Sequence, residues 1–460
     1  MKNKLHIFTI LIFFISLIGC NKSEPTPLPA IKLSAAITTN TVNSIAMDSA
    51  VAGGNITLNG ETGAIIESGV CFSTTAHPDI TKSKVIHSVI SGAFSCTLTN
   101  LTSKSVYYVR AYYKNAAGTV YGNEVSFTSA KQPIPVGDRH FTNTIYTICT
   151  DPTGNLYAGG AFTRMGNGTD YFYLTKWDGT SWNDLIDLQS GQVIRSVCSD
   201  ADGSIYMDAW RLVNTGFREE FYVAKRTVNT WSDVGIYNDA NFYISNICTD
   251  KAGNVYAIGS YQNASGKYYV AKWSKSGVYS ELGSFTEFPL SICTDPQGNL
   301  YAAGLMKNGS GNDNYYIAKW DGNAWTQLGN FNGVISSICI DAAGNLLAGG
   351  SFLSNGRFYV AKWDGSIWSE LGILDVYPQD YLSNNIYNIC TDPLGNVYAS
   401  GNFKDANGRF YVAKWNGTSW SELASFNGAI KTICADSKGN LYAAGDFTDA
   451  TGQRFVALCN

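Results

Sequence analysis

Ile148-Cys149-Thr150-Asp151-Pro152-Thr153-Gly154-Asn155-Leu156-Tyr157-Ala158-Gly159-Gly160 decides how this chain folds, because versions of it surround seven cysteines: 149, 198, 248, 293, 339, 390 and 434. They recur at intervals of roughly 45–50 residues, the self-similarity of a repeat architecture. Two short apolar runs flank a turn whose residues each have a cause. In Asp392-Pro393-Leu394-Gly395-Asn396, Asp stands first, Pro second and Gly fourth. That is type I turn chemistry, with Gly free to take a positive φ. Calcium binding is the alternative for the recurring Asp, but one carboxylate per tight turn offers too few oxygens.

Six of the seven repeats continue into an aromatic strand and a second turn, as in Phe358-Tyr359-Val360-Ala361-Lys362-Trp363-Asp364-Gly365-Ser366-Ile367-Trp368-Ser369-Glu370-Leu371. Four short strands in ~40–50 residues are the signature of a propeller blade. The first half resembles an NHL blade (Asp-x-x-Gly-Asn, then Tyr). The second half resembles a kelch blade (glycines, an aromatic strand, a following Trp). The resemblance implies a seven-bladed β-propeller. Trp177 and Trp182 stand closer together than the aromatic landmarks of kelch blades, so no family's ligand transfers.

The seventh repeat supplies strands from Ile430, Leu441 and Arg454 and lacks an outer one. An open ring would leave unpaired edges. Residues 133–138, around Ile134-Pro135-Val136-Gly137, are expected to fill the gap as an edge strand, where proline is tolerated. Phe141 precedes Cys149 by eight residues, as Phe285, Phe331 and Phe426 precede Cys293, Cys339 and Cys434. The repeat cysteines are expected as unpaired packing residues. Stacked sheets lie ~10 Å apart, and a disulfide needs Cα atoms within ~7 Å. The lysine before each tryptophan, as at Lys319 and Lys362, is expected to lay its stem along apolar surface.

Outward from the repeats, residues 31–130 show short alternating strands separated by turn clusters, as in a β-sandwich. Leu101-Thr102-Ser103-Lys104-Ser105-Val106-Tyr107-Tyr108-Val109-Arg110-Ala111 resembles the E–F corner of fibronectin type III domains. Asn115-Ala116-Ala117-Gly118 resembles the F–G turn. The resemblance implies a spacer in which the Tyr107 hydroxyl bonds back to the corner. Cys71 and Cys96 either form a disulfide or stand as two small core residues, and the sequence leaves both open.

The chain starts Met1-Lys2-Asn3-Lys4, followed by an apolar run from Leu5 to Ile18 and Gly19-Cys20. A basic start and a short apolar run make a secretory signal, too short for a normal span. Leu17-Ile18-Gly19-Cys20 resembles the lipobox of Gram-negative lipoproteins, which implies lipidation at Cys20. Residues 1–20 are then the signal peptide, 21–30 a Pro-rich tether, 31–130 the fibronectin type III-like domain and 131–460 the propeller. Asn21 after the cysteine points to the outer membrane.

Composition narrows the function. A net charge of −4 over 460 residues gives no electrostatic case for nucleic acid. The four histidines form no constellation with carboxylates, and no CxxC occurs. Metal, cofactor and triad chemistry therefore have no visible seat, and a monomer without cofactor is expected.

In a four-stranded blade, the turns after strands one and three share one face of the ring, and the other loops share the opposite face. The first set is nearly invariant here. The second varies, most of all after Trp368. Long loops on rigid scaffolds tend to carry function, though drift alone also lengthens loops. The candidate ligand-binding residues are Tyr237, Asn241 and Phe242 between blades two and three, and Tyr377, Asp380, Tyr381 and Asn384 between five and six. Arg357 and Arg409 begin the third strands of blades five and six.

These features read as an envelope lipoprotein that binds a glycan or a surface protein and reaches the membrane through its lipid. The rivals are a carbohydrate-active hydrolase or lyase using paired carboxylates such as Asp375 and Asp380, and a structural subunit of an envelope complex. Cys20→Ala should abolish labelling by a fatty-acid analogue, because the thiol is the attachment atom; equal labelling of both forms would rule out lipidation there.

Overall fold

The computed structural model describes residues 35–43, 45, 49–58, 65–129, 133–166, 169–190, 193–213, 218–237, 243–307, 314–374, 385–405, 408–449 and 451–459. Cys20, the signal and the tether lie outside them. Every regular element among the described residues is a β-strand.

The first block holds two antiparallel sheets. One orders Ala35–Thr39, Ala50–Leu58 and Gly92–Leu98; the other centres on Glu67–Ser73 and Val106–Asn115. Alternate residues of both turn inward onto one core, with Ile56, Leu98, Val70 and Val109 almost fully buried. The Tyr107 hydroxyl accepts the Thr102 amide at 2.8 Å, which ties the corner to the strand that follows it. Cys71 and Cys96 are buried free thiols. Burial pushes both up to about 11.

From Ile145 onward the chain builds seven successive antiparallel sheets among the described residues. In the third sheet the order is Ile244–Thr249, Val255–Gly259, Tyr268–Trp273 and Tyr279–Phe285, each strand paired with the next. Two sheets gain a short extra strand, Thr163–Gly166 and Leu353–Ser354. The turn chemistry explains the first hairpin. The Gly154 amide donates to the Asp151 carbonyl at 2.9 Å, and Gly154 takes φ +89 with open space around it. The second hairpin closes on a tilted tryptophan pair, Trp177 opposite Trp182 with centroids 5.8 Å apart.

Second strands such as Val255–Gly259 and Leu441–Gly445 are buried along their whole length, so each sheet needs a cover on both faces. The neighbouring sheets supply it in a closed circle. Strand Ile145–Thr150 packs against Val197–Ser199, and the sequence continues sheet by sheet to Ile430–Ala435, which returns to Ile145–Thr150.

Side-chain bonds sew the seams. Two residues before the cysteine, a small polar side chain accepts the backbone amide of the next repeat: Thr147 from Val197 at 3.1 Å, Ser196 from Ile247 at 2.9 Å, Asn246 from Ile292 at 3.1 Å. One residue after it, a hydroxyl donates to the preceding repeat's carbonyl: Ser199 to Thr150 at 2.9 Å and Thr294 to Thr249 at 2.8 Å. On the outside, tryptophan indoles donate backwards, Trp325 to the Leu282 carbonyl at 2.8 Å.

The seventh sheet contains a strand from before the first. Ala457 pairs with Pro135 and Leu458 with Ile134, so its order is Ile430–Ala435, Leu441–Gly445, Ala457–Leu458, Ile134–Pro135. Val136 then does what Leu282 does elsewhere, accepting the Trp182 indole at 2.6 Å. Gly137 (φ +67) matches Gly283 (φ +64), and both back onto the next repeat's tryptophans.

The repeat thiols are unpaired, but ~10 Å spacing is not the reason, because adjacent inner strands converge to within 8 Å near the axis. A Cβ on Gly137 would lie 2.6 Å from the Trp177 ring. Gly137→Ala should therefore cost about 1–3 kcal/mol more in urea denaturation than Gly154→Ala, which strains φ without a clash. Equal losses would show that the Gly137 seam bears no load.

Candidate functional site

The ring has two mouths with different chemistry. At the end of the inner strands lies a 490 Å³ cavity lined by Thr249, Asp250, Lys251, Thr294, Asp295, Asp341, Thr391, Asp392 and Asp436 among others. The aspartates are already occupied. Asp392 Oδ1 accepts the Leu394 and Asn396 amides at 3.0 and 2.9 Å, and Oδ2 accepts the Asn396 side chain and the Tyr398 hydroxyl at 2.7 and 2.8 Å. Burial pushes the Asp392 carboxyl up, but these bonds together outweigh it and hold the group below its ordinary range. Asp151 and Asp341 are held down in the same way.

The lysine of the third strand completes this unit. Lys414 sits 5.6 Å from the Tyr398 ring centroid and Lys319 5.6 Å from that of Tyr301. Its ammonium thus caps an aromatic face, a more specific role than a stem lying on apolar surface. In the fifth repeat Leu347 replaces the tyrosine, and Lys362 reaches Asp341 directly at 3.0 Å. Just inside the mouth each repeat thiol neighbours the next around the whole circle. Burial pushes them up, Cys339 to about 12, so they are poor nucleophiles and poor ligands. No group of His, Cys, Asp or Glu among the described residues has the geometry to hold a metal ion.

The opposite mouth, where the inner strands begin, is built differently. In six repeats the ladder slips by one residue at the same place, as between Ile145 and Thr147, Ile244 and Asn246, and Ile430 and Thr432. The extra residue of such a bulge leaves the pleat and is aimed elsewhere. It stands three before each cysteine: Tyr146, Ser245, Leu290, Ser336, Tyr387 and Lys431, with Arg195 in the remaining repeat. Its neighbours hardly change. The position before it is Ile or Pro, and the position after it is Thr, Ser or Asn. This is a candidate position that sequence reasoning missed. The signal was available as the one inner-strand column that varies freely.

The second repeat departs from the bulge. Its inner strand is only Val197–Ser199, and Asp208 stands where other repeats carry Gly, Ala, Ser or Ile. Asp208 Oδ1 accepts the Arg195 and Ser196 amides, both at 2.9 Å, replacing ladder bonds and presenting Arg195 outward. Burial pushes Asp208 up to about 7, and the bonds from Ser196 and Arg195 offset only part of that.

Of the sequence candidates, Arg357 opens strand Arg357–Trp363 in an exposed position. Arg409 precedes strand Phe410–Trp415, its amide bonded to Asp405 at 2.9 Å. Tyr237 ends strand Thr230–Tyr237. Asn241, Phe242, Tyr377, Asp380, Tyr381 and Asn384, and the rival carboxylate Asp375, lie outside the described residues. The described Tyr243 and Asn385 directly follow these two segments.

No protein-family model and no curated protein matches the chain. Among solved structures, the WD40 β-propeller domain of Doa1 is 11% identical, with 72% of this chain and 97% of that one covered at a TM-score of 0.47. Saccharomyces cerevisiae Sqt1 is 11% identical over 72% of this chain and 98% of its own, at 0.42. Chaetomium thermophilum Sqt1 bound to the N-terminus of ribosomal protein L10 is 11% identical over 71% and 98%, at 0.40. The Doa1 neighbour is a β-propeller; likeness at this level says nothing of ligand or activity.

Asp208 generates a pH prediction. An unfolded carboxyl titrates near 3.8 and the folded one near 7. Between those values only the folded chain holds the proton, so this group's contribution to stability falls as pH rises through the window. Asp208→Asn keeps the Oδ1 acceptor and has no proton to lose. The stability of the variant relative to wild type should grow from pH 4 to 7 and then level off. A difference that stays constant would mean Asp208 is ionised throughout.

Proposed function

We propose that this chain is a lipid-anchored envelope protein: a fibronectin type III-like spacer carrying a seven-bladed β-propeller that binds a glycan or a surface protein through its variable face. The chain works as an interaction module, with Cys20 holding it to the membrane and residues 31–130 standing it off the bilayer. The supporting observation is the asymmetry of the two mouths. At one, the turn carboxylates are consumed by their own amides, asparagines and tyrosines, which leaves little capacity for a ligand. At the other, one bulged position in each of six repeats escapes that structural demand and varies in chemistry.

Glycan-array and pull-down screens identify the ligand class. Replacing Tyr377, Asp380 and Tyr381 together by alanine should then weaken binding by ~1 kcal/mol or more with little change in thermal midpoint. Asp392→Ala should do the opposite, lowering the midpoint while the folded fraction keeps its affinity. Unaltered affinity in the triple variant with lost affinity in Asp392→Ala would put the site on the turn face instead.

A further inference from the structure

We propose that the mouth where the inner strands begin binds an acidic saccharide, its sugar faces resting on the exposed Tyr146 and Tyr243 rings and its acid groups meeting Arg195 and Lys431. The inference rests on the variable face being the working face, and it names a ligand class and the residues that select it.

The mouth carries a shelf of aromatic rings. The Arg195 guanidinium lies 4.8 Å from the Tyr243 ring centroid. Tyr243 stands 6.0 Å from Phe288, and Phe288 stands 5.7 Å from Tyr268. A guanidinium stacked on a ring keeps its in-plane N–H donors available at its edge. No ion pair occupies Arg195 among the described residues. Its backbone lies just before strand Val197–Ser199, and Asp208 accepts its amide at 2.9 Å, which pins the segment that carries the cation.

A second cation and ring stand on the other side of the first sheet. Lys431 lies 4.8 Å from the Tyr387 ring centroid. Its acid, Asp446, is shared: Lys431 approaches it at 3.6 Å and Arg454 at 4.0 Å. Two cations against one carboxylate leave a positive surplus on a chain whose net charge is −4. Tyr146 lies on the strand between the two groups: Ile145–Thr150 packs on both Ile430–Ala435 and Val197–Ser199, and Tyr146 is 41% exposed.

This arrangement suits a sugar better than a peptide. The described cavity lies at the other end of the ring, and what this mouth offers is rings and cations. A pyranose needs only a flat ring to lie on, and a carboxylate or sulfate gains charge-assisted bonds from a guanidinium edge.

The test uses calorimetry on the full-length protein in detergent, with a galacturonic acid hexamer, its methyl ester, a sulfated heparin hexasaccharide and hexaglutamate as probes. At least one acidic sugar should bind, more weakly as salt rises, and whichever binds identifies carboxylate or sulfate as the preferred acid. The methyl ester should bind less tightly than the free acid. Arg195→Gln and Lys431→Gln should each weaken binding ~10-fold, while Ser336→Ala, at the same position in the fifth repeat, should not. Tyr146→Ala, an exposed site whose loss spares the fold, should also weaken it. The inference is overturned if no acidic sugar binds, if hexaglutamate binds as tightly, or if these substitutions leave affinity unchanged. Loss of binding in the Tyr377/Asp380/Tyr381 variant alone would overturn it while leaving the variable face as the working face.

Discussion

The bond from one repeat's backbone amide to the preceding repeat's small polar side chain, as from Ile247 to Ser196 at 2.9 Å, is what the ring depends on. Each sheet buries both faces, so none is stable without neighbours. Apolar packing alone would let the sheets slide along one another, since it is not directional. A hydroxyl or amide oxygen accepting one particular amide fixes the register of six seams. At the closing seam the Thr150 hydroxyl donates to the Ala435 carbonyl at 3.2 Å. A buried amide left without it would cost about 1–3 kcal/mol. The hydroxyl-to-carbonyl bonds three residues further along the inner strand, and the tryptophan indoles at the rim, hold the seams at two radii.

That constraint also explains the division of chemistry between the mouths. The end of each inner strand must form a tight turn, and in six repeats it must also seat a buried tyrosine. Asp392 and its equivalents are spent on those tasks. The beginning of the strand has one residue in excess of the ladder, and a bulge releases that residue from pairing. Variation accumulates where the physical demand is lowest, so Tyr146, Ser336 and Lys431 differ while Ile145, Ile335 and Ile430 do not.

The departures from the repeat are as informative as its regularity. Leu347 removes a tyrosine, and Lys362 answers by pairing directly with Asp341 at 3.0 Å. Asp208 introduces a carboxylate at a position where the other repeats carry Gly, Ala, Ser or Ile, and the ladder beside it shortens to Val197–Ser199. One repair replaces a ring contact with an ion pair. The other trades ladder bonds for a side chain that holds two amides and a presented arginine.

The sequence by itself determined the local units. Asp-Pro-x-Gly-Asn dictates a tight turn because proline sets one φ and glycine permits another. Apolar runs on either side dictate strands, and a regular spacing of such phrases dictates like sheets packed on like. Leu101 and Tyr107 marked their corner for the same reason, since a corner bond spans few residues. What depends on residues far apart in the chain was decided only by the tertiary structure. The seams join amides and side chains some 45–50 residues apart, and no local pattern distinguishes an accepting serine from a solvated one. The bulge at Tyr146 and Lys431 emerges only when two strands are aligned. Arg195, Tyr243 and Phe288 come from separate repeats, and they form one surface because the closing ring draws the beginnings of the inner strands together at the axis.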